Sequence, residues 1–436
     1  MQLAHSHYIV RRVTQVTARV PPVHATLDLT VDPGAAGFDP ARLARIDEHL
    51  RSRYVDPGKI AGCQVVVARG GQVAHVSTLG WADRERQRPV RPDTVWRIFS
   101  MTKPITGVAL LSLYEQGRIA LKDPVERHLP EFRGQKVRER LDDGTVRLVD
   151  PVRPMSVRDV LMHTSGIGWG PKGARMDLLA APDRPPSMRL QGGGTLQTLV
   201  ERLGPEPLRF HPGTHWLYSW STDVAARLVE VVSGQRFDEY LQQTIFDPLG
   251  MVDTGFSVPV AAADRFAALY RRNAAKDVVL VDDPLTSSYL QHPEFLSGGG
   301  GLVSTAADYL RFSRMLAGGG AVDGVRVLAP RTVELMRTNH LPGGVDLRAM
   351  AVPGGYGEVG FDGMGFGLTV AVSLGPAATQ TAGSAGEFMW GGFASTIFWV
   401  DPVDDVVVVF MTQLLPSGTF DFRGQLKALV YGALVA

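Results

Sequence analysis

Strand-forming runs lie at both ends of this chain, and helical periods fill its middle. That distribution constrains the fold more than any bulk property does. Near the start, Gln64 to Ala68 and Val73 to Thr78 are rich in β-branched residues. They flank Arg69-Gly70-Gly71-Gln72, a tetrad suited to a tight turn, and so predict a hairpin. Near the end, Gly367 to Val372, Phe393 to Val400 and Val406 to Met411 read as strands. The last two are joined by Asp401-Pro402-Val403-Asp404-Asp405, a turn sequence. Between these ends, helical spacing recurs at Val157 to Met162, Leu196 to Leu203, Thr222 to Val232 and Phe237 to Ile245. Strand patterns are scarce from about 105 to 290.

Two further helices are expected at the termini. Over 39 to 54, Asp39 can cap, Pro40 suits the first turn, and Leu43, Ile46 and Leu50 share a face. Phe422 to Leu434 reads as an apolar closing helix. The economical arrangement is α+β: one antiparallel sheet built from both ends, flanked by the N- and C-terminal helices, with a helical lobe inserted. The expected division is an N-terminal arm over 1–25, an α/β domain from 26–104 and 291–436, and a mainly helical domain over 105–290. The Gly- and Pro-rich stretch Gly166 to Gly194 is too long for a plain connection. It reads as a cleft wall or lid, with a surface loop as the alternative.

Charge excludes several classes of partner. Lys plus Arg total 45 and Asp plus Glu total 44, which gives no basis for binding nucleic acid or an anionic membrane. No segment approaches the ~18 unbroken apolar residues of a membrane span. Arg11-Arg12 is not followed by an apolar core, so no signal peptide is read and a cytoplasmic location is expected. The single cysteine, Cys63, adjoins a strand run and reads as a buried structural thiol. His211 and His215 are separated by Pro212-Gly213, which forbids a helical metal pair. No Gly-x-x-x-x-Gly-Lys phosphate loop occurs. No metal or cofactor is expected, and the oligomeric state is not legible.

The chemistry centres on Ser100-Met101-Thr102-Lys103, the sole Ser-x-x-Lys in the chain. It opens an apolar stretch, Ile105 to Leu113, that predicts a buried helix ending near Gly117. A Ser at a helix start with a Lys three residues on puts both side chains on one face. The hydroxyl lies at the positive helix end, beside an amine that can take its proton. Pro104 fits there, because the first turn cannot use its missing N–H. A surface Ser and Lys on an ordinary helix is the plain alternative. Gly-x-Ser-x-Gly is absent, which argues against an α/β-hydrolase elbow.

Two further elements follow in order: Trp216-Leu217-Tyr218-Ser219-Trp220-Ser221, then Met389-Trp390-Gly391-Gly392-Phe393 leading into a strand. With Ser-x-x-Lys, and with His163-Thr164-Ser165-Gly166 and the Ser297 to Thr305 run between, the chain resembles class C β-lactamase-like hydrolases. Most closely it resembles family VIII carboxylesterases of the penicillin-binding-protein superfamily, from about residue 38 to 436. The resemblance implies a small-molecule ester substrate and an active site in the cleft between the two domains. It implies Ser100 as the acylated nucleophile, with Lys103 and Tyr218 as a general acid–base pair sharing a proton. It implies an oxyanion hole from the backbone N–H groups of Ser100 and of Phe393 on an edge strand. Trp220 stands where the family places an Asn, and Trp390-Gly391-Gly392 where β-lactamases have Lys-Thr-Gly. These four residues are the expected substrate contacts, and their apolar character suits neutral short-chain esters. β-Lactam hydrolysis and acyl transfer are the alternatives on the same route. A binding protein that merely keeps the fold is disfavoured by the presence of all three reactive side chains. His163 and Gly298 to Gly301 read as structural turns near the cleft.

Overall fold

The structure is a computed structural model that describes residues 32–169 and 190–435. The expected arm over 1–25 and most of the Gly166 to Gly194 stretch lie outside the described residues.

The core is an eight-stranded sheet assembled from both chain ends. Its spatial order is Met364–Phe366, Ala371–Ser373, Phe388–Gly391, Ile397–Asp401, Val406–Thr412, Gly62–Arg69, Gln72–Asp83 and Arg88–Pro89. The ends meet where Gly62–Arg69 pairs antiparallel with Val406–Thr412, with Val66 opposite Val409. Both strands read as continuous β-branched runs because both of their faces are covered. On one face Phe410 meets Phe422 of the C-terminal helix Phe422–Tyr431. On the other, Phe398 meets Tyr309 of helix Ala306–Ala317. The terminal helices touch each other, and Gln425 accepts from Tyr54 Oη at 2.6 Å.

Several local expectations are corrected. The helix over 39 to 54 is divided into Pro40–Leu43, Arg45–Leu50 and a π turn Arg51–Val55. Asp39 does cap it, accepting from Ala41 N at 2.8 Å and Arg42 N at 3.1 Å. Gly367 to Val372 is not one strand. Met364–Phe366 and Ala371–Ser373 form a hairpin, closed by Gly367 N donating to Val370 O. The bend has a tertiary cause: Leu368 N donates to Met336 O and Thr369 N to Leu161 O, so this backbone bonds to helices rather than to the sheet.

Phe393 to Val400 is also shorter than expected, with the strand starting at Ile397. Residues 392–396 turn instead, through Gly392 N to Thr396 O and Ser395 N to Gly392 O. Met389 to Gly391 belongs to the strand Phe388–Gly391, which lies inside the sheet and not at its edge.

In the middle of the chain, helices Val157–Leu161, Leu196–Leu203, Ser221–Ser233 and Phe237–Leu241 fall where the periodicity predicts. Two strand pairs there carried no clear pattern. Val137–Arg140 with Val146–Val149 is largely exposed, so its alternation is weak. Leu269–Arg272 pairs with Val278–Asp282 and, in parallel, with Leu414–Leu415.

Candidate active site

The chain reaches Ser100 through a constrained entrance. Trp96–Arg97 pairs with Val303–Ser304. The Arg97 side chain is fully buried, and it donates to Asp282 Oδ2 at 2.6 Å and to Ala267 O at 2.6 Å. A buried guanidinium with its donors satisfied holds its backbone in place. Phe99 then adopts a left-handed conformation, with φ of 43°. That costs a non-glycine residue about 1–3 kcal/mol, strain of the kind found at functional turns. Ser100 sits in a 3-10 turn, Phe99–Met101, directly before helix Thr102–Glu115. Pro104 is the third residue of that helix, where no N–H is needed. The helix is buried from Thr102 to Leu113 and ends by Gly117, which takes a left-handed φ of 69°.

Ser100, Lys103 and Tyr218 come together. Lys103 Nζ lies 3.3 Å from Ser100 Oγ, and Tyr218 Oη donates to the same oxygen at 2.6 Å. The ammonium lies 4.4 Å from the centre of the Tyr218 ring, and it also donates to Gly299 O at 2.5 Å. The sequence predicts that Lys103 and Tyr218 share a proton. In the structure the serine oxygen stands between them.

Burial drives the electrostatics. Desolvation pulls the Lys103 ammonium down from its ordinary 10.5 to about 8, while Asp223 and Glu358 partly oppose it. Burial also pushes the Tyr218 phenol well above its ordinary value, and the nearby Glu358 adds to this. Tyr218 is therefore a protonated donor at neutral pH, and Lys103 is the group that titrates near it.

Aromatic rings brace the phenol. Trp216 stacks on Tyr218 with 16° between planes, and the rings of His163 and Trp390 lie 5.0 Å and 5.6 Å away. His163 is buried with its Nε2 3.2 Å from Thr222 Oγ1, and burial holds it well below its ordinary pKa. It is a neutral bracing ring.

The expected substrate contacts lie at different depths. The Trp220 indole is fully buried and donates to Trp169 O at 2.9 Å. The Trp390 indole is also fully buried, between Tyr218 and Phe366. Gly391 and Gly392 lie at the end of strand Phe388–Gly391, against the turn that carries Ser100. A Cβ on Gly392 would sit 2.3 Å from Ile98 O. Phe393 follows in the turn, not on an edge strand, with its ring 6.4 Å from that of Phe99. Among the described residues, no hydrogen bond is made by the N–H of Ser100 or that of Phe393.

Sequence reasoning missed three contributors: Asp223, Glu358 and the Gly299 carbonyl. Asp223 is in the first turn of helix Ser221–Ser233, where an acidic residue is commonplace and carries no signal. Glu358 lies in a Gly-rich loop with no motif. Its Oε2 accepts from Ser417 Oγ at 2.7 Å, and burial raises its pKa.

With this geometry in view, the relatives are informative. The Beta-lactamase family description matches residues 48–432. Protein Rv1367c of Mycobacterium tuberculosis is 34% identical over 372 residues, covering 84% of this chain and 89% of that one. Esterase EstB of Burkholderia gladioli is 32% identical over 415 residues, covering 89% and 95%. The structure of EstCE1, a hydrolase with promiscuous acyltransferase activity, superposes with a TM-score of 0.71 at 26% identity and covers 91% and 99%. The fold and site define a serine hydrolase or acyltransferase. The chain belongs to the β-lactamase family, on the class C-like, family VIII esterase-type scaffold. Among the described residues, no helix is long and apolar enough to cross a membrane.

Proposed function

We propose that the protein is a carboxylesterase that hydrolyses neutral, short-chain acyl esters through an acyl-enzyme on Ser100. The observation that carries this reading is the placement of Ser100 Oγ between Lys103 Nζ at 3.3 Å and Tyr218 Oη at 2.6 Å. Neutral Lys103, about a tenth of the population at pH 7 for a pKa near 8, takes the serine proton as Oγ attacks the ester carbonyl. The N–H groups of Ser100 and Phe393 receive the developing oxyanion. Tyr218 gives a proton to the departing alkoxide and regains one from Lys103. Water then attacks the acyl-enzyme with the pair acting in reverse, releasing the acid and restoring Ser100.

The preference for neutral substrates rests on the Trp390 strand. Arg423, the cation beside it, donates to Trp390 O at 3.1 Å and to Glu358 O at 2.9 Å. Burial works against its charge, and the nearby Glu358 stabilises it. The fully buried Trp390 indole stands where β-lactamases have an ammonium, so this position offers no cation to a substrate carboxylate. Acyl transfer to an alcohol is the second reading, favoured by the activity named for EstCE1, and it differs only in what attacks the acyl-enzyme. The test is a panel of p-nitrophenyl esters against nitrocefin, with and without an added alcohol. Faster turnover of nitrocefin than of the butyrate ester would overturn the esterase reading.

A further inference from the structure

Asp223 is buried, and its carboxylate reaches beyond its own helix. Its Oδ1 accepts from Ser297 Oγ at 2.6 Å and from Gly299 N at 3.1 Å, partners far away in sequence. The same segment is held from the other side, where Thr106 Oγ1 donates to Gly298 O at 2.8 Å. No side chain fits in this seam. A Cβ on Gly298 would lie 2.5 Å from the Ala226 Cβ, and one on Gly299 would lie 2.5 Å from Asp223 Oδ2. The Gly299 carbonyl, on the residue whose N–H Asp223 holds, is the one that accepts from Lys103 Nζ at 2.5 Å.

We propose that Asp223 is a positioning residue for Lys103, pinning the Ser297–Gly299 turn so that the Gly299 carbonyl holds the amine against Ser100. The inference rests on the reading of Lys103 as the base. It assigns Asp223 two separable effects. As a hydrogen-bond acceptor, it sets where the amine sits. As a negative charge, it raises the proton affinity of Lys103 against the pull of burial. The other groups facing Lys103 are Glu358, also anionic in its effect, the protonated Tyr218 phenol and the neutral His163.

The two effects predict different outcomes for two substitutions. Asp223→Asn keeps an oxygen for Ser297 and Gly299 but removes the charge. Its plateau kcat is expected within about 3-fold of wild type, with the acid limb of kcat/KM moved at least 0.5 pH unit lower. Ser297→Ala keeps the charge and removes one hydrogen bond. It is expected to lower kcat about 3- to 10-fold, with KM unchanged and the acid limb in place.

The experiment is the pH profile of p-nitrophenyl butyrate hydrolysis for wild type, Asp223→Asn, Ser297→Ala and Lys103→Ala, with circular dichroism to confirm folding. If Asp223→Asn does not fold, Ser297→Ala decides the matter alone. An acid limb unmoved in folded Asp223→Asn, or wild-type kcat in Ser297→Ala, would overturn the proposal. Full activity in Lys103→Ala would overturn the base assignment instead, so the two failures are distinguishable.

Discussion

The Gly392 Cα faces the Ile98 carbonyl so closely that a Cβ there would lie 2.3 Å from its oxygen. The same added atom would lie 2.3 Å from Thr396 Oγ1. The strand end and the Ser100 turn are therefore in backbone contact, and they carry the N–H groups of Ser100 and Phe393, which make no hydrogen bond among the described residues. Gly392→Ala must push them apart. Loss of one oxyanion donor costs about 100- to 1000-fold in kcat. We expect Gly392→Ala to lower kcat by at least 10-fold while KM for p-nitrophenyl butyrate changes little. An unchanged kcat would remove this lip from the oxyanion site.

Lys103→Ala and Tyr218→Phe are each expected to lower kcat about 100-fold or more, the usual scale of general acid–base help. The double variant is expected to lose far less than the product, because both groups act on one serine oxygen. Multiplicative losses in steady-state kinetics would show that the two side chains work independently.

The pH dependence follows from the buried amine. Lys103 accepts a proton only when neutral, and burial brings its pKa down to about 8. kcat/KM is thus expected to rise about tenfold per pH unit below 8 and to level off above it. A lysine at its ordinary 10.5 would keep the rate climbing through pH 9. A plateau reached already at pH 6 would exclude Lys103 as the titrating base.

The centre of the sheet was legible because its strands are buried on both faces. Val65, Val66 and Val67 and the run Val406 to Val409 leave little room for another reading. The hairpin inside Gly367 to Val372 was not, because its bend is imposed by Met336 and Leu161 from distant helices. Phe393 was misread for a local reason. Its residue type suits a strand, and the turn begins one residue earlier because Gly392 N bonds to Thr396 O. At the candidate site, the meeting of Ser100, Lys103 and Tyr218 was legible because their motifs have local spacing and a set order. Asp223 and Glu358 could not. Their meaning depends on Gly299 and Ser417, which only the folded chain brings beside them.

Burial also bears on specificity. Trp390 is fully enclosed against Tyr218 and Phe366, so Trp390→Lys would place a cation in the core and leave a void. A cost of at least about 3 kcal/mol is expected, read as a lower midpoint in urea unfolding. In a variant that still folds, a charge-assisted bond worth about 1.5–3 kcal/mol is expected to favour nitrocefin relative to p-nitrophenyl butyrate. A folded variant with an unchanged substrate ratio would show that this position does not face the substrate.

The central claim is that Ser100 becomes covalently acylated. The most direct measurement is intact-protein mass spectrometry after exposure to a fluorophosphonate, followed by peptide mapping, on wild type and Ser100→Ala. The account predicts a single phosphonyl adduct on Ser100 in the wild type. It predicts no adduct in Ser100→Ala, together with loss of esterase activity. Ser100 Oγ is bonded by the side chains of Lys103 and Tyr218, so its removal costs about 1–3 kcal/mol for the unpaired phenol, and that variant is expected to remain folded. Turnover near the wild-type rate in Ser100→Ala, or an adduct mapped to another residue, would contradict it.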